Sequence, residues 1–515
     1  MRPPDDVLAD LLEDWLPRQR WFAGKDRAIG EVSIGTATEL HPGPAARAPD
    51  GPELHHVIAA VRQDGGWDHY QLLLGVRHEM PERLRFGEIG GFTAGPPDGG
   101  AGPPDGGAGH PHGGAEHPVA AHVYDAVYDA ELTRVLLEGM AAEASVGPLR
   151  FRRAPGIEIE TELDSVPGSA EQSNSSLIFG DVYICKLFRR LSPGVNPDLE
   201  VNLGLSRVGC AHVPGVCGWI DLDPSAASAV ASGPAAPEPS TPAEPTTLAM
   251  MSQYLPSGTD GWDMAITSVR DWFAYAPTVC DPRAPTPEDA GAAGGDFAAE
   301  AERLGAATAT VHRDLAAAFG VTRMPAEYAR EMAAGMHRQL NEVSRSVPAL
   351  AEHETAIREA FDELAHLRTP PVFQRVHGDY HLGQVMRTDT GWIVLDFEGE
   401  PARTPGERRA VAHPLRDVAG MLRSFEYAAR FLIADQSLPT DAALSLETRA
   451  HAWAARNRNA FCRGYAAAGG LDPAEHAVLV RAFEFDKAVY EIRYEARNRP
   501  SWLPVPLRAL AHLAG

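Results

Sequence analysis

Residues 374–400, QRVHGDYHLGQVMRTDTGWIVLDFEGE, constrain the fold more than any other stretch of the chain. Gly391-Trp392-Ile393-Val394-Leu395 is short, apolar and partly β-branched, and it follows the turn-forming Thr388-Asp389-Thr390. That pattern predicts a buried strand. The strand ends in Asp396. Upstream, His377-Gly378-Asp379 is followed, five residues after the aspartate, by Gln384. Polar side chains are thus concentrated at the ends of two apolar runs joined by turns. Taken singly, an Asp at a strand end is a cap. His377 and His381 lack the intervening Glu and the third ligand of a zinc-protease helix.

Taken together, the spacing of Asp379, Gln384 and Asp396 matches the catalytic loop and metal-binding strand end of kinase-fold phosphotransferases. In that pattern Asp379 orients an acceptor hydroxyl and takes its proton. The amide of Gln384 and the carboxylate of Asp396 hold Mg²⁺.

Such a site must bind a polyphosphate against an unfavourable field. The chain has 46 basic and 70 acidic residues, a formal charge of −24. This balance disfavours nucleic acid and anionic membranes as partners. It also demands local Lys, Arg or Mg²⁺ wherever ATP binds. The five cysteines are scattered, with no CxxC pair, so neither a zinc framework nor a secreted disulfide scaffold is expected. MRPPDDVLADLLEDW lacks the basic n-region and apolar stretch of a signal peptide, and no apolar run approaches the roughly 18 residues of a membrane span. A cytoplasmic, soluble monomer is expected, and 515 residues exceed one ordinary core.

In chain order, residues 5–16 have the spacing of a short amphipathic helix. Gly24-Lys25 is no P-loop, because the earlier glycine and the following Ser or Thr are missing. Segments 32–40, 55–61 and 69–76 read as strands of a small antiparallel sheet, and 123–140 as helix. Gly-, Pro- and Ala-rich tracts near 95–117, 223–246 and 281–296 cannot bury a core. In EQSNSSLIFGDVYICKLFRRL (171–191), Gly180-Asp181 predicts a tight hairpin turn. Lys186 falls on an otherwise apolar strand face and needs an anionic partner. In the kinase pattern it contacts the α- and β-phosphates and pairs with a helix glutamate. Glu200 is the candidate, on a helix capped by Asn196 and opened by Pro197. Ser173, Asn174, Ser175 and Ser176 stand where a phosphate cradle belongs. Gln253 and Tyr254 end a strand (247–256) at the position of an adenine-binding hinge. Long helices are expected at 298–317 and 326–368. Asp417 either caps its own helix or braces the catalytic loop. Tyr490, Tyr494 and Arg497 share one helical face, which suits either a sugar or a structural seam.

WLPRQRWFAGK (15–25), QSNSSLIFGDVYICKLFRRL with GVNPDLEV, LPSGTDGW, HGDYHLGQV, LDFEGEP with Arg408-Arg409, DVAGMLRSFEYAA and YEARNRPSWLP resemble the actinobacterial maltokinases. These are relatives of aminoglycoside phosphotransferases. The resemblance implies an α+β, bilobal, protein-kinase-like fold: an N-terminal cap subdomain on a β-rich N-lobe, and a mostly helical C-lobe. The expected stretches are 1–120, 121–256 and 257–515. It further implies ATP- and Mg²⁺-dependent phosphorylation of maltose at its anomeric hydroxyl, giving maltose 1-phosphate for α-glucan synthesis. Asp379 becomes the catalytic base and Gln384 and Asp396 the metal ligands. Lys186 with Glu200, the Ser173–Ser176 segment, Gln253 and Tyr254 become nucleotide contacts. His377, Tyr490, Glu491, Tyr494 and Arg497 become the acceptor side. Glucosamine kinases share much of this motif set. An amino sugar, phosphorylated to glucosamine 6-phosphate, would need a carboxylate beside its ammonium, for which Glu398, Glu491 and Glu495 are available. An aminoglycoside-type kinase and a pseudokinase scaffold are remoter alternatives.

Overall fold

The computed structural model describes residues 2–40, 51–94, 119–168, 173–227, 244–275, 285–292, 295–325, 327–368, 371–400, 404–434 and 440–514. The tract at 95–117 lies outside them, as does most of 223–246 and part of 281–296. The chain divides into two compact units, Met1–Leu199 with Gly215–Tyr254, and Glu200–Pro214 with Leu255–Gly515. The expected stretches 1–120 and 121–256 fall mostly in the first unit and 257–515 in the second, and Glu200–Pro214 also goes with the second.

In the first unit, Leu8, Leu12 and Trp15 recur at helical spacing and are buried along α1 (Asp5–Trp15), whose first turn carries Asp5 and Asp6. The antiparallel strands β1 (Glu31–Leu40), β2 (Glu53–Gln63), β3 (Gly66–Arg77), β4 (Glu88–Ala94) and β5 (Val119–Asp125) form a sheet ordered β1-β2-β3-β5-β4. Val119–Asp125 was expected to contribute to a helix from 123. It is a strand because β3 and β4 both pair with it, and helix α2 (Ala130–Ala141) begins only afterwards. Tertiary pairing has overridden local periodicity.

A second sheet runs β6-β7-β12-β13-β10-β9-β8. Its members are β6 (Ser145–Val146), β7 (Leu149–Arg153), β8 (Ser165–Pro167), β9 (Ser175–Phe179), β10 (Tyr183–Leu187), β12 (Val216–Leu222) and β13 (Thr246–Gln253), while β11 (Arg190–Leu191) pairs with β3 of the first sheet. Gly180 and Asp181 take φ of +51° and +55°, as the expected hairpin turn requires. Buried polar groups tie the sheets together. Arg189 reaches Asp125 at 2.6 Å and donates to the Ser175 hydroxyl at 2.8 Å. The Gln71 amide donates to the carbonyls of Phe188 and Leu248.

Helix α3 (Pro197–Arg207) begins where Asn196 accepts the Asp198 N–H, as expected of its cap. The second unit packs α4 (Gly261–Ala274), α5 (Ala298–Phe319), α6 (Tyr328–Ser346), α7 (Glu354–Ala365), α8 (Leu415–Ala434), α9 (Thr440–Ala467), α10 (Ala477–Asn498) and α11 (Pro504–Ala514) around one core. The helix expected over 326–368 is broken at Pro348, which opens a 3-10 turn between α6 and α7. Gly305 of α5 sits against the Phe461 carbonyl and Gly464 of α9 against the Glu302 carbonyl, so these helices meet backbone to backbone. Short strands β14 (Thr259–Asp260), β17 (Val385–Thr388) and β18 (Gly391–Val394) form one sheet, while β15 (Val321–Arg323) pairs with β16 (Val372–Gln374). Among the described residues no helix is long and apolar enough to cross a membrane.

Candidate active site

The loop between β16 and β17 is held from behind by Asp417, in the first turn of α8. Its Oδ2 accepts the His377 N–H at 2.8 Å and its Oδ1 the Gly378 N–H at 2.9 Å. Of its two expected roles, the brace is the one the structure contains. Burial alone would push this carboxyl up, but His312, His377 and the Gly378 N–H hold it below the usual carboxylate range. Gly378 turns the chain at φ +85°, a conformation that L side chains rarely adopt.

His377 is spent inside the loop. Its Nε2 donates to the Leu395 carbonyl at 2.7 Å, and its Nδ1 accepts the Asp379 N–H at 3.3 Å. With the ring buried and both nitrogens engaged, it fastens the loop to the end of β18. The expected substrate contact from His377 is corrected to this positioning place.

Asp379 Oδ1 meets Lys487 Nζ at 2.9 Å, and the same ammonium lies 3.0 Å from the buried Glu400. Burial would lower the Lys487 pKa, but Asp379 and Glu400 outweigh it and hold it well above the ordinary lysine value. Sequence reasoning missed this residue. The signal was present but weak: Lys487 lies among Phe483, Phe485, Ala488 and Val489 of a helix, and a lysine that is buried there needs an anion, as Lys186 did. Lys487 lies three and seven residues before Tyr490 and Tyr494, on their face of α10. Its ammonium is 4.8 Å from the Tyr490 ring centroid. Tyr494 is exposed, with the Arg499 guanidinium 5.7 Å over its ring, and Arg497 is exposed farther along. Two candidate carboxylates are already engaged. Glu491 pairs with fully buried Arg423 at 2.7 Å, and Glu495 accepts from the Tyr427 hydroxyl at 2.8 Å and pairs with Arg499 at 2.6 Å.

The Gln384 amide donates to Asp396 Oδ2 at 3.1 Å, so the two expected metal ligands are neighbours. The Leu395 N–H donates to the Gln384 carbonyl, and Asp396 adopts φ +63°, unusual for a residue with a side chain. A carboxylate and an amide oxygen are the donor types that Mg²⁺ takes, so this pair fits that ion.

In the first unit, Lys186 Nζ pairs with Asp198 at 3.5 Å. Glu200, the expected partner, instead binds Arg375 at 2.9 Å within the second unit. Residues two apart on a helix point about 200° apart, so 198 and 200 cannot face the same strand. The role assigned to Glu200 passes to Asp198. In the Ser-Asn-Ser-Ser segment, Ser173 is exposed and Asn174 and Ser176 are buried. Ser175 and Ser176 already belong to β9, and the Ser175 hydroxyl is taken by Arg189. Ser175 is therefore corrected from phosphate contact to structural acceptor. At the strand end, the N–H of Gln253 donates to Gly215 and that of Tyr254 to Val182, so neither N–H is offered to a base.

A family profile described as the maltokinase N-terminal cap domain matches residues 15–129, and one described as the phosphotransferase enzyme family matches 287–434. The chain is 30% identical over 359 residues to a glucosamine kinase of Streptacidiphilus jiangxiensis, covering 67% of this chain and 72% of the relative. A glucosamine kinase of Mycolicibacterium smegmatis is 28% identical over 367 residues, covering 69% and 80%. A solved glucosamine kinase in complex with glucosamine, ADP and inorganic phosphate superimposes with a TM-score of 0.61 at 21% identity, covering 100% of both chains. That likeness confirms the fold.

Proposed function

From its membership of the phosphotransferase enzyme family, in which it is a sugar or amino-sugar kinase with a maltokinase-type cap, we propose that this chain phosphorylates maltose from ATP. The acceptor is the anomeric hydroxyl and the product maltose 1-phosphate. The observation carrying this choice is the charge around Asp379. Lys487 lies on Asp379 and Tyr490, and Arg493 lies 5.6 Å from the same ring. Glu491 and Glu495 are paired to Arg423 and Arg499. An ammonium brought here meets cations and finds two of the three candidate carboxylates, Glu491 and Glu495, engaged, whereas a neutral sugar needs only hydroxyl partners and a ring to lie on.

Phosphoryl transfer asks the protein for positioning and electrostatics rather than covalent chemistry. Asp379 holds the acceptor hydroxyl and takes its proton, and Lys487 fixes the carboxylate in place. Lys186, oriented by Asp198, is assigned to the phosphates. Gln384 and Asp396 would hold Mg²⁺, which when bound neutralises charge on phosphate oxygens.

The glucosamine kinases among the relatives support the second reading, glucosamine as acceptor. ATP consumption with Mg²⁺ against maltose, glucose, glucosamine, kanamycin and no sugar separates the two. Turnover with maltose, yielding a product phosphorylated at the reducing end, supports the proposal. Turnover confined to glucosamine replaces it. A preference for kanamycin or silence across the panel rejects both.

A further inference from the structure

Asp417 is itself gripped. Its Oδ2 lies 3.0 Å from His312 Nε2 on α5, and His312 Nδ1 lies 2.8 Å from the Tyr465 hydroxyl on α9. All three side chains are buried. One proton arrangement satisfies this chain. Tyr465 O–H donates to Nδ1, Nε2–H donates to Asp417, and Asp417 accepts the two loop N–H groups. Helix α5 also touches the loop and the end of β16 elsewhere. Thr308, one turn earlier, shares a 2.7 Å hydrogen bond with the Tyr380 hydroxyl, and the Gln374 amide donates to the His312 carbonyl at 2.6 Å.

From these contacts we infer that His312, backed by Tyr465, is a positioning residue for phosphoryl transfer: it fixes the rotation of the Asp417 carboxylate and thereby the turn that aims Asp379. A carboxylate must point one oxygen at each of two consecutive N–H groups to hold this turn. Two acceptor contacts leave its rotation soft, and a third, from a rigid helix, locks it. The inference rests on Asp379 as the reacting base.

A structural role alone would lower the amount of folded enzyme and leave each folded molecule unchanged. A positioning role changes kcat and its pH profile. The groups around Asp417 are His312 from α5, Tyr465 from α9, and His377 and Tyr380 from the loop. Arg416 beside it, with Glu400 and with Asp486 and Lys487 of α10, lines the same small cavity. Without His312, the hydrogen bond and charge that most oppose burial are gone, and the Asp417 carboxyl titrates at higher pH than in the wild type. The loop then loses its acceptor sooner on acidification, so the acid limb of kcat moves up.

The test compares His312→Leu, His312→Gln and Tyr465→Phe, each normalised to folded protein, with Asp379→Asn in parallel. His312→Leu is expected to lower kcat about 100-fold, the scale of a misplaced reacting group. KM for ATP and sugar should stay within about threefold, the mark of an interaction that acts in the transition state, while the acid limb moves up. His312→Gln, which retains a donor, should restore most of kcat and the limb. If His312→Leu does not fold, Tyr465→Phe must still raise the limb. An unchanged kcat and limb per folded molecule overturn the inference. Activity retained in Asp379→Asn would instead remove the reading beneath it.

Discussion

Lys487 Nζ sits 2.9 Å from Asp379 Oδ1, so the expected base carries its own counter-ion, supplied from α10. Lys487→Met should therefore lower kcat by about 10²-fold, the scale of a lost preorganised charge contact. Steady-state kinetics with maltose checks this, and an unchanged kcat would show the pair to be incidental. Its pH signature is flat. The folded pKa is raised, so the pair's stability is fully present below the unfolded lysine value of about 10.4. It is lost only as pH rises through the higher folded value. The melting temperature should not fall on this account between pH 7 and 9.

Asp379→Asn retains the size and removes the proton acceptor. The expected loss in kcat is about 10²–10⁴-fold, the range for general base catalysis. ATP binding measured by calorimetry should stay near wild type, because Asp379 serves the acceptor. Wild-type turnover in this variant would remove Asp379 from the chemistry.

Asp198 and Glu200 make opposite predictions on one helix. Asp198→Asn loosens Lys186 and should raise KM for ATP about tenfold, one charge-assisted contact's worth. Glu200→Gln should leave that KM within about twofold and act on stability through Arg375, a largely buried guanidinium left without its carboxylate. The reverse ranking in nucleotide kinetics would restore Glu200 as the partner of Lys186.

What was legible in the sequence was local. The turn at Gly180-Asp181, the cap at Asn196 and the pairing of Gln384 with Asp396 each depend on residues close along the chain, and the structure contains all three. Asp198 was missed because residues 198 and 200 both offer a carboxylate, and only the helix phase relative to β10 decides between them. Residues 123–125 read as the start of a helix until β3 and β4 pair with them. Lys487 acts from 108 residues away, and its partner was visible only as an unmet need for an anion. His377 stands first in His377-Gly378-Asp379, yet its ring is consumed by the loop's own backbone and the Leu395 carbonyl.

Arg423 offers the sharpest test of acceptor choice, because it neutralises Glu491 one residue from Tyr490. The guanidinium is fully buried, and burial would lower its pKa, but Glu491 and neighbouring glutamates hold it above the ordinary arginine value. Arg423→Met keeps the packing and strands a partly buried carboxylate. Breaking such a pair costs about 3–5 kcal/mol of stability, measurable by denaturant unfolding. The stranded carboxylate also becomes the anion that an amino sugar requires. If paired carboxylates are what disfavour an ammonium, the ratio of kcat/KM for glucosamine over maltose should rise about tenfold in Arg423→Met, one charge-assisted hydrogen bond's worth. Adding Glu491→Gln should return the ratio to its starting value, because the new anion is gone while the substitution at 423 remains. A ratio that rises in both variants would trace the effect to altered packing, and one that moves in neither would separate Glu491 from acceptor selection.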